Sequence, residues 1–270
     1  MITSNLHKNN AHFSTIISNI GHNFNIEGDS SDLEHFINTI PKTIPILPVR
    51  GIVVYPLTAV PLTVGQTRSI NLIEDATSTN KIIGLVTSKN SKLETPNPDQ
   101  LFNIGTAAVV HKLMKTPDGT IRILTQGIAR IKIADYVETD PYLKANINLH
   151  PETNETGIKI EALVRTTSKQ FEKLAHLIPS IPDEMIPSAL NVADPKQLAY
   201  TVATYLRIDL EVAQQLLETS KVSTKLKKIL TILGREIEVL ELGYKLQKDA
   251  HTVMEGTQRE YFLREQLKAI

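Results

Sequence analysis

The sequence predicts an α+β protein: a partly closed β-barrel or sheet domain first, then a helical bundle, then one long C-terminal helix. Three observations carry this reading. Residues 44–150 hold short β-branched runs broken by proline. From about residue 157 the apolar period lengthens from two residues to about 3.6. From Val222 onward proline is absent.

In the β part, Pro45, Pro48, Pro56 and Pro61 exclude helix and favour edge strands and bends around runs at Ile52–Tyr55 and Ala59–Val64. Thr67–Thr77 is the one helical interruption, with Ile70, Leu72, Ile73 and Ala76 as its apolar stripe. Lys81–Thr87 reads as a strand, and the proline-containing Asn90–Asp99 as a flexible loop. Thr106–Lys115 and Thr120–Thr125 flank Pro117-Asp118-Gly119, whose glycine supplies the positive φ of a hairpin turn. After Gly127, Ala129, Ile131 and Ile133 alternate with Arg130 and Lys132, which predicts a half-buried strand with the two bases on its wet face. Tyr142–Leu149 adds another strand, and about six short strands with one helix suggest a small barrel.

In the helical part, Ile160, Leu163, Val164, Thr167, Phe171, Leu174 and Ile178 mark one helix face, ended by Pro179 and Pro182. Asp194-Pro195 reads as an N-cap followed by proline at the first helical position, with Leu198, Val202, Tyr205 and Leu206 inside. Asp209 is expected to cap a third helix carrying Leu210, Ala213, Leu216 and Leu217. The last helix carries Leu226, Leu230, Leu233, Ile237, Leu240 and Tyr244 at coiled-coil spacing. The same register continues through the polar Gln247 and His251, while Leu263, Leu267 and Ile270 lie on another face, as after a stutter. Gly234, Gly243 and Gly256 each cost about 1 kcal/mol against alanine in a helix interior. The pattern runs to Ile270 with no C-cap, which predicts a piece of a longer protein and a helix that associates weakly with a second copy.

Composition narrows the chemistry. Lys plus Arg and Asp plus Glu both number 29, and cysteine is absent. Disulfides, thiolate nucleophiles and Cys-ligated zinc are therefore excluded. Without an apolar span or a signal-like N-terminus, the expectation is a cytoplasmic protein with no membrane partner. Residues 1–43 are asparagine-rich and read as a poorly ordered extension, with His7, His12, His22 and His35 at no metal-ligand spacing. His111, His150, His176 and His251 are equally scattered. Phosphate-loop, zinc-protease and nucleophile-elbow motifs are all missing. The expectation is no catalytic, cofactor-binding or metal residue, with substrate-contacting residues unidentified.

Three stretches resemble the N-terminal region of Lon, the bacterial ATP-dependent serine protease. They are Ile44-Pro-Ile-Leu-Pro-Val-Arg-Gly-Ile-Val-Val-Tyr-Pro through Pro61-Leu-Thr-Val-Gly-Gln; Ile104-Gly-Thr-Ala through Pro117-Asp-Gly-Thr to Gln126-Gly-Ile-Ala-Arg130; and Gln258-Arg-Glu-Tyr-Phe-Leu-Arg-Glu-Gln-Leu-Lys-Ala-Ile270. The resemblance implies a PUA-like β domain over 44–150, a helical bundle over 154–220 and a long helix over 221–270 leading toward an ATPase module. It also implies that ATP, Mg and the Ser–Lys peptidase belong to downstream modules, so that this piece is not itself an enzyme. Pro117-Asp118-Gly119-Thr120 is not the peptidase motif, because no Ser-Ala-Gly follows it.

The resulting expectation is a substrate-recognition module that captures unfolded or damaged proteins and supports a homo-oligomer, a hexamer in the family. Such capture needs exposed apolar surface. The candidates are Val53–Pro61, the Asn90–Asp99 loop and the apolar side of the long helix, each weighed against core packing. Lys225, Lys227 and Lys228 read as a solvated helix face. The alternative is a PUA-like nucleic-acid-binding module using Arg122, Arg130 and Lys132. A net charge of +3 over residues 44–150 and the lack of interleaved aromatics weigh against DNA.

Overall fold

A computed structural model describes residues 37, 39–153, 155–178 and 194–268; beyond Lys248 it describes only the Thr252 and Met254 side chains. Readings made on residues 1–36, on Pro179 and Pro182, and on Ile270 lie outside the described residues. The β half contains β1 (Thr43–Val49), β2 (Ala59–Val64), α1 (Thr67–Ser78), β3 (Ile82–Thr87), a short 3-10 turn (Pro98–Gln100), β4 (Ile104–Lys115), β5 (Ile121–Glu138) and β6 (Lys144–Leu149). The helical half contains α2 (Ile158–Leu177), α3 (Pro195–Tyr205), α4 (Leu210–Glu218) and α5 (Val222–Lys268).

The six strands form one mixed sheet in the order β2-β5-β4-β3-β1-β6, and β5 also pairs with β6. The long β5 makes this possible. Its first half, Ile121–Gln126, pairs with β2, while its second half, from Ile131, pairs with β6. The sheet is thus closed at one end through β6 and splayed at the other, rather than a clean barrel. Ile44, Ile46, Ile131, Ile133 and Ile147 fill the closed end. Leu47, Val49, Val64, Ile83 and Ile123 pack on Leu72, Ile73 and Ala76 of α1 at the splayed end.

Two strand assignments differ from the sequence reading. Thr120–Thr125 and the alternating stretch after Gly127 are one strand, with irregularities in its β4 pairing near Ala108 and Lys112. Ile52–Tyr55 is not a strand, whereas Thr43–Val49 is, despite Pro45 and Pro48. The prolines fit because of where their missing N–H groups would point. The Ile46 N–H donates to the Leu143 carbonyl, so even positions of β1 face β6. Pro48 faces that side beyond the last paired residue, Pro45, while Pro45 faces the β3 side before pairing starts at Ile46. Neither position needs a donor.

The Pro117–Gly119 turn forms as expected, with Gly119 at φ +82° and its N–H donating to the Thr116 carbonyl. Asp118 accepts from the Thr120 N–H and hydroxyl. Bonds from Thr116 and Thr120 hold its carboxyl down at about 2.

In the helical half, Asp194 caps α3 by accepting from the Lys196 N–H at 2.9 Å. Asp209 stands at the N-cap position of α4 without a side-chain capping bond. Phe171 and Leu174 of α2 pack with Leu198 and Val202 of α3, Leu216 and Leu217 of α4, and Leu226, Ile229, Leu233 and Ile237 of α5. The buried stripe of α5 runs through Ile229, not the half-buried Leu230 of the sequence reading. It ends at Leu240; Tyr244 is 71% exposed, and every position from Glu241 to Lys248 is exposed. The helix continues unbroken past Gly243 and Gly256 to Lys268, about 40 Å beyond the bundle at 1.5 Å per residue.

Candidate functional site: an open seam in the sheet

The splayed end of the sheet leaves a gap between β1 and β2. The Gly127 N–H donates to the Thr58 carbonyl, so even positions of β2 bond to β5. Ala59, Pro61 and Thr63 therefore aim their backbone groups the other way. Across the gap, β1 beyond Pro45 has lost β6 as a neighbour. A groove of about 330 Å³ fills the space. Leu47, Val49 and Ile52 line one wall, Pro61 and Leu62 the other, and Glu94, Thr95 and Pro96 close the rim.

The groove carries Arg50, Arg68 and Glu94 as its charged side chains. Arg50 makes no hydrogen bond or ion pair among the described residues, and Arg68 makes only a 3.4 Å contact to the Thr139 carbonyl. The Asn90–Asp99 loop is tied in place. Gln66 donates to the Glu94 carbonyl, and Lys89 donates to the Asp99 carbonyl at 2.8 Å.

Two of the sequence-based candidates meet here, in part. The Asn90–Asp99 loop contributes its centre, and Val53–Pro61 contributes only its last residue. Its first half is not free surface. Val54 is buried against the α1 core, and Tyr55 is buried in the helical core, stacked on Tyr200 at 5.3 Å. Backbone accounting shows why Ile52–Tyr55 forms no ladder. The Ile52, Val54 and Tyr55 carbonyls accept instead from the hydroxyls of Thr87, Thr106 and Thr58.

This segment belongs to the junction between the halves, where the second departure from the sequence reading lies. Arg130 is not on a wet strand face; it is 2% exposed. Its Nε donates to the His150 carbonyl at 2.6 Å. Its Nη1 donates to the carbonyls of Leu217, Glu218 and Thr219 at 2.8, 3.2 and 3.0 Å. Its Nη2 donates to the Pro151 carbonyl and the Ser220 hydroxyl. A guanidinium from the sheet thus caps the C-terminus of α4, satisfying orphan carbonyls at the negative end of the helix. Alternation alone assigns Arg130 to solvent; only the docking of α4 onto β5 buries it.

Lys225 is likewise not a solvated residue but 1% exposed. Its Nζ lies 3.2 Å from Glu152, 3.8 Å from the Tyr200 ring centre, and against the Tyr200 hydroxyl. Burial pushes its ammonium down to about 8, against the opposing pull of Glu152. Burial alone would raise the Glu152 carboxyl, but Lys225, Tyr200 and Arg130 together hold it below its ordinary value. Burial pushes the Tyr200 hydroxyl well up, and Glu152 pushes it further. The lysine sits where the long helix starts, four positions before Ile229 on the edge of the buried stripe; that helical spacing is the local signal that separates it from the exposed Lys227 and Lys228, although its charge argues for solvent.

The remaining bases do not gather. Arg122 and Lys132 are both exposed on β5, ten positions apart, or roughly 33 Å along the strand. With Arg130 buried between them, the three make no continuous basic face. His111 pairs with Gln126 at 2.6 Å, and burial, then Arg130 and Lys132, lower His150. Among the described residues no group of three or more His, Cys, Asp or Glu could hold a metal ion. No helix among them is long and apolar enough to cross a membrane.

Residues 43–235 match the family model described as the ATP-dependent protease La (LON) substrate-binding domain. The chain belongs to this Lon substrate-binding family. Over 237 residues it is 43% identical to Lon protease 1 of Herpetosiphon aurantiacus, covering 86% of this chain and 29% of that protein. Over 231 residues it is 40% identical to the Lon protease of Dictyoglomus thermophilum, again covering 86% and 29%. The chain therefore spans less than a third of the Lon relatives it matches. The fold is that of the N-terminal domain of a Mycobacterium avium complex Lon protease, at a TM-score of 0.59 and 23% identity over 72% of this chain and 98% of that one. The Lon N-terminal domain protein of Xanthomonas campestris also matches, at a TM-score of 0.52 and 14% identity.

Proposed function

We propose that this chain is the substrate-recognition, oligomer-supporting N-terminal part of an ATP-dependent Lon protease of the cytoplasm, and that it captures unfolded or damaged proteins for degradation. The observation that carries the proposal is the coincidence of the family match over residues 43–235 with an open groove of mixed polar and apolar lining inside the matched region. Nucleotide hydrolysis, Mg and the serine peptidase are assigned to the portion of the protein beyond this piece. The exposed length of α5 is assigned to contact with other subunits of a homohexamer or with that downstream portion.

Fluorescence anisotropy tests the proposal. Labelled reduced, carboxymethylated α-lactalbumin should bind the chain, and the native, disulfide-intact protein should not. Apolar capture persists as salt rises, whereas phosphate-driven DNA binding collapses. Equal binding of native and unfolded protein would refute the reading.

A further inference from the structure

The walls of the groove are two strand edges, and their backbone groups say what shape fits between them. On the β2 side, Ala59, Pro61 and Thr63 present three carbonyls but only two N–H groups. On the β1 side, the Ile46 N–H is taken by Leu143 and Pro48 has none, so this edge offers carbonyls alone. Either strand edge can pair with another extended chain, because paired strands sit about 4.8 Å apart and share one pleat. A helix, about 10 Å across, does not share that geometry. Toward each side an extended backbone presents one N–H and one C=O at every second position; its N–H groups match the carbonyls of both edges, and its carbonyls find N–H partners only at Ala59 and Thr63.

The side chains add the second requirement. Ile52, Pro61 and Leu62, each at least partly exposed in the groove, call for apolar side chains on the face that meets them. Arg50 and Arg68, with no strong partner of their own, outnumber Glu94 on the rim. Guanidinium groups without a partner select a carboxylate, and they hold it by charge-assisted, bidentate hydrogen bonds.

We propose that the seam between β1 and β2 receives an extended polypeptide segment with apolar side chains along one face and a carboxylate placed at Arg50 and Arg68. The inference rests on the substrate-recognition reading and specifies which stretches of an unfolded chain are taken. Pro48 and Pro61 limit the backbone pairing, so the segment is held reversibly and can be passed on.

The probe is a short fluorescein-labelled peptide of alternating valine and serine ending in aspartate, bound to the full chain. Replacing its aspartate by asparagine should weaken binding about tenfold, the scale of one lost charge-assisted hydrogen bond. N-methylation at alternate residues, which removes the donors on one edge, should weaken it at least as much. The double variant Arg50→Glu, Arg68→Glu should lose the aspartate peptide and gain a lysine-ended one, a swap that a misfolded protein cannot produce. Hydrogen exchange should show peptide-dependent protection at Ala59–Val64. Indifference to N-methylation, or failure of the charge swap while unfolded α-lactalbumin still binds, would overturn the seam inference and leave the recognition reading standing. Failure of the chain to bind either the peptide or the unfolded protein would overturn both.

Discussion

Replacing Arg130 by methionine tests how the two halves are joined. The side chain is fully enclosed and donates six hydrogen bonds, five of them to backbone carbonyls. Each bond to a charged group contributes about 1.5–3 kcal/mol net. Six of them summed would match the whole stability of an ordinary domain, about 5–15 kcal/mol. That sum overstates the loss, because water re-enters and re-solvates the carbonyls at the end of α4. Removing one member of a buried charged network costs about 3–5 kcal/mol, and that is the expected range. Methionine keeps the aliphatic volume, so the effect isolates the guanidinium. Arg130→Lys keeps the charge but presents one nitrogen where three donate, and should recover less than half of the loss. The loss should also be local to the junction. Tryptophan is absent, so emission comes from the seven tyrosines, of which Tyr55, Tyr200 and Tyr205 lie in or against the helical core. Urea unfolding followed by tyrosine fluorescence and by far-ultraviolet circular dichroism should coincide in the wild type and separate in Arg130→Met. A cost below about 1 kcal/mol, with coincident curves in both proteins, would refute the claim that Arg130 couples the halves.

The ammonium of Lys225 is held near 8, below the value near 10.5 of the unfolded chain, so between these pH values the unfolded state binds more protons. The unfolding free energy from urea titration should therefore rise from pH 7.5 to 9.5, by about 2 kcal/mol at most, and Lys225→Met should flatten the rise; above pH 10 the raised Tyr200 reverses the trend, since only the unfolded tyrosine then ionises. A Cβ added at Gly127 would stand 2.3 Å from the Tyr55 carbonyl oxygen and 3.0 Å from the Pro56 Cα, so Gly127→Ala should cost about 2 kcal/mol in thermal unfolding and enhance tyrosine exposure. Hydrogen exchange along α5 should be slow at Leu226–Ile237 and fast from Glu241, because apolar packing stops at Leu240; equal protection across that point in a monomer would contradict the packing.

What was legible in the sequence followed period and turn chemistry. The α2 stripe, the Asp194-Pro195 start of α3, the Pro-Asp-Gly turn and α1 each depend on residues within a few positions of one another, and each formed where the local pattern put it. What was not legible depended on partners far along the chain. Arg130 meets Leu217, 87 positions away, and Lys225 meets Glu152, 73 away. Both are long, charged and flanked by other polar residues, so a local reading places them in water. Burial of two cations around one carboxylate is a property of the docked halves; its one periodic trace is the register of Lys225 with Ile229 and Leu233. The groove was half legible: proline and loop residues marked its rim, but only the pairing of β5 with β2 and β6 in turn creates the gap.

The prolines tie these observations together. Read locally, Pro48 and Pro61 interrupt β structure. In the fold both lie within strands, and both turn their donor-less side toward the open seam. An open pair of strand edges is a hazard, because a second copy of the same chain could zip into it. Two prolines facing the gap remove two of the N–H groups such zipping requires, leaving those of Ala59 and Thr63 beside the carbonyls of the walls. The seam is therefore poor at pairing with a regular strand edge that needs both donors and acceptors. Any extended backbone pairs with it only in part, so a bound segment depends on its side chains as well and is released readily. The same residues that break the sequence pattern thus keep a sheet with unfilled edges from closing on its neighbours.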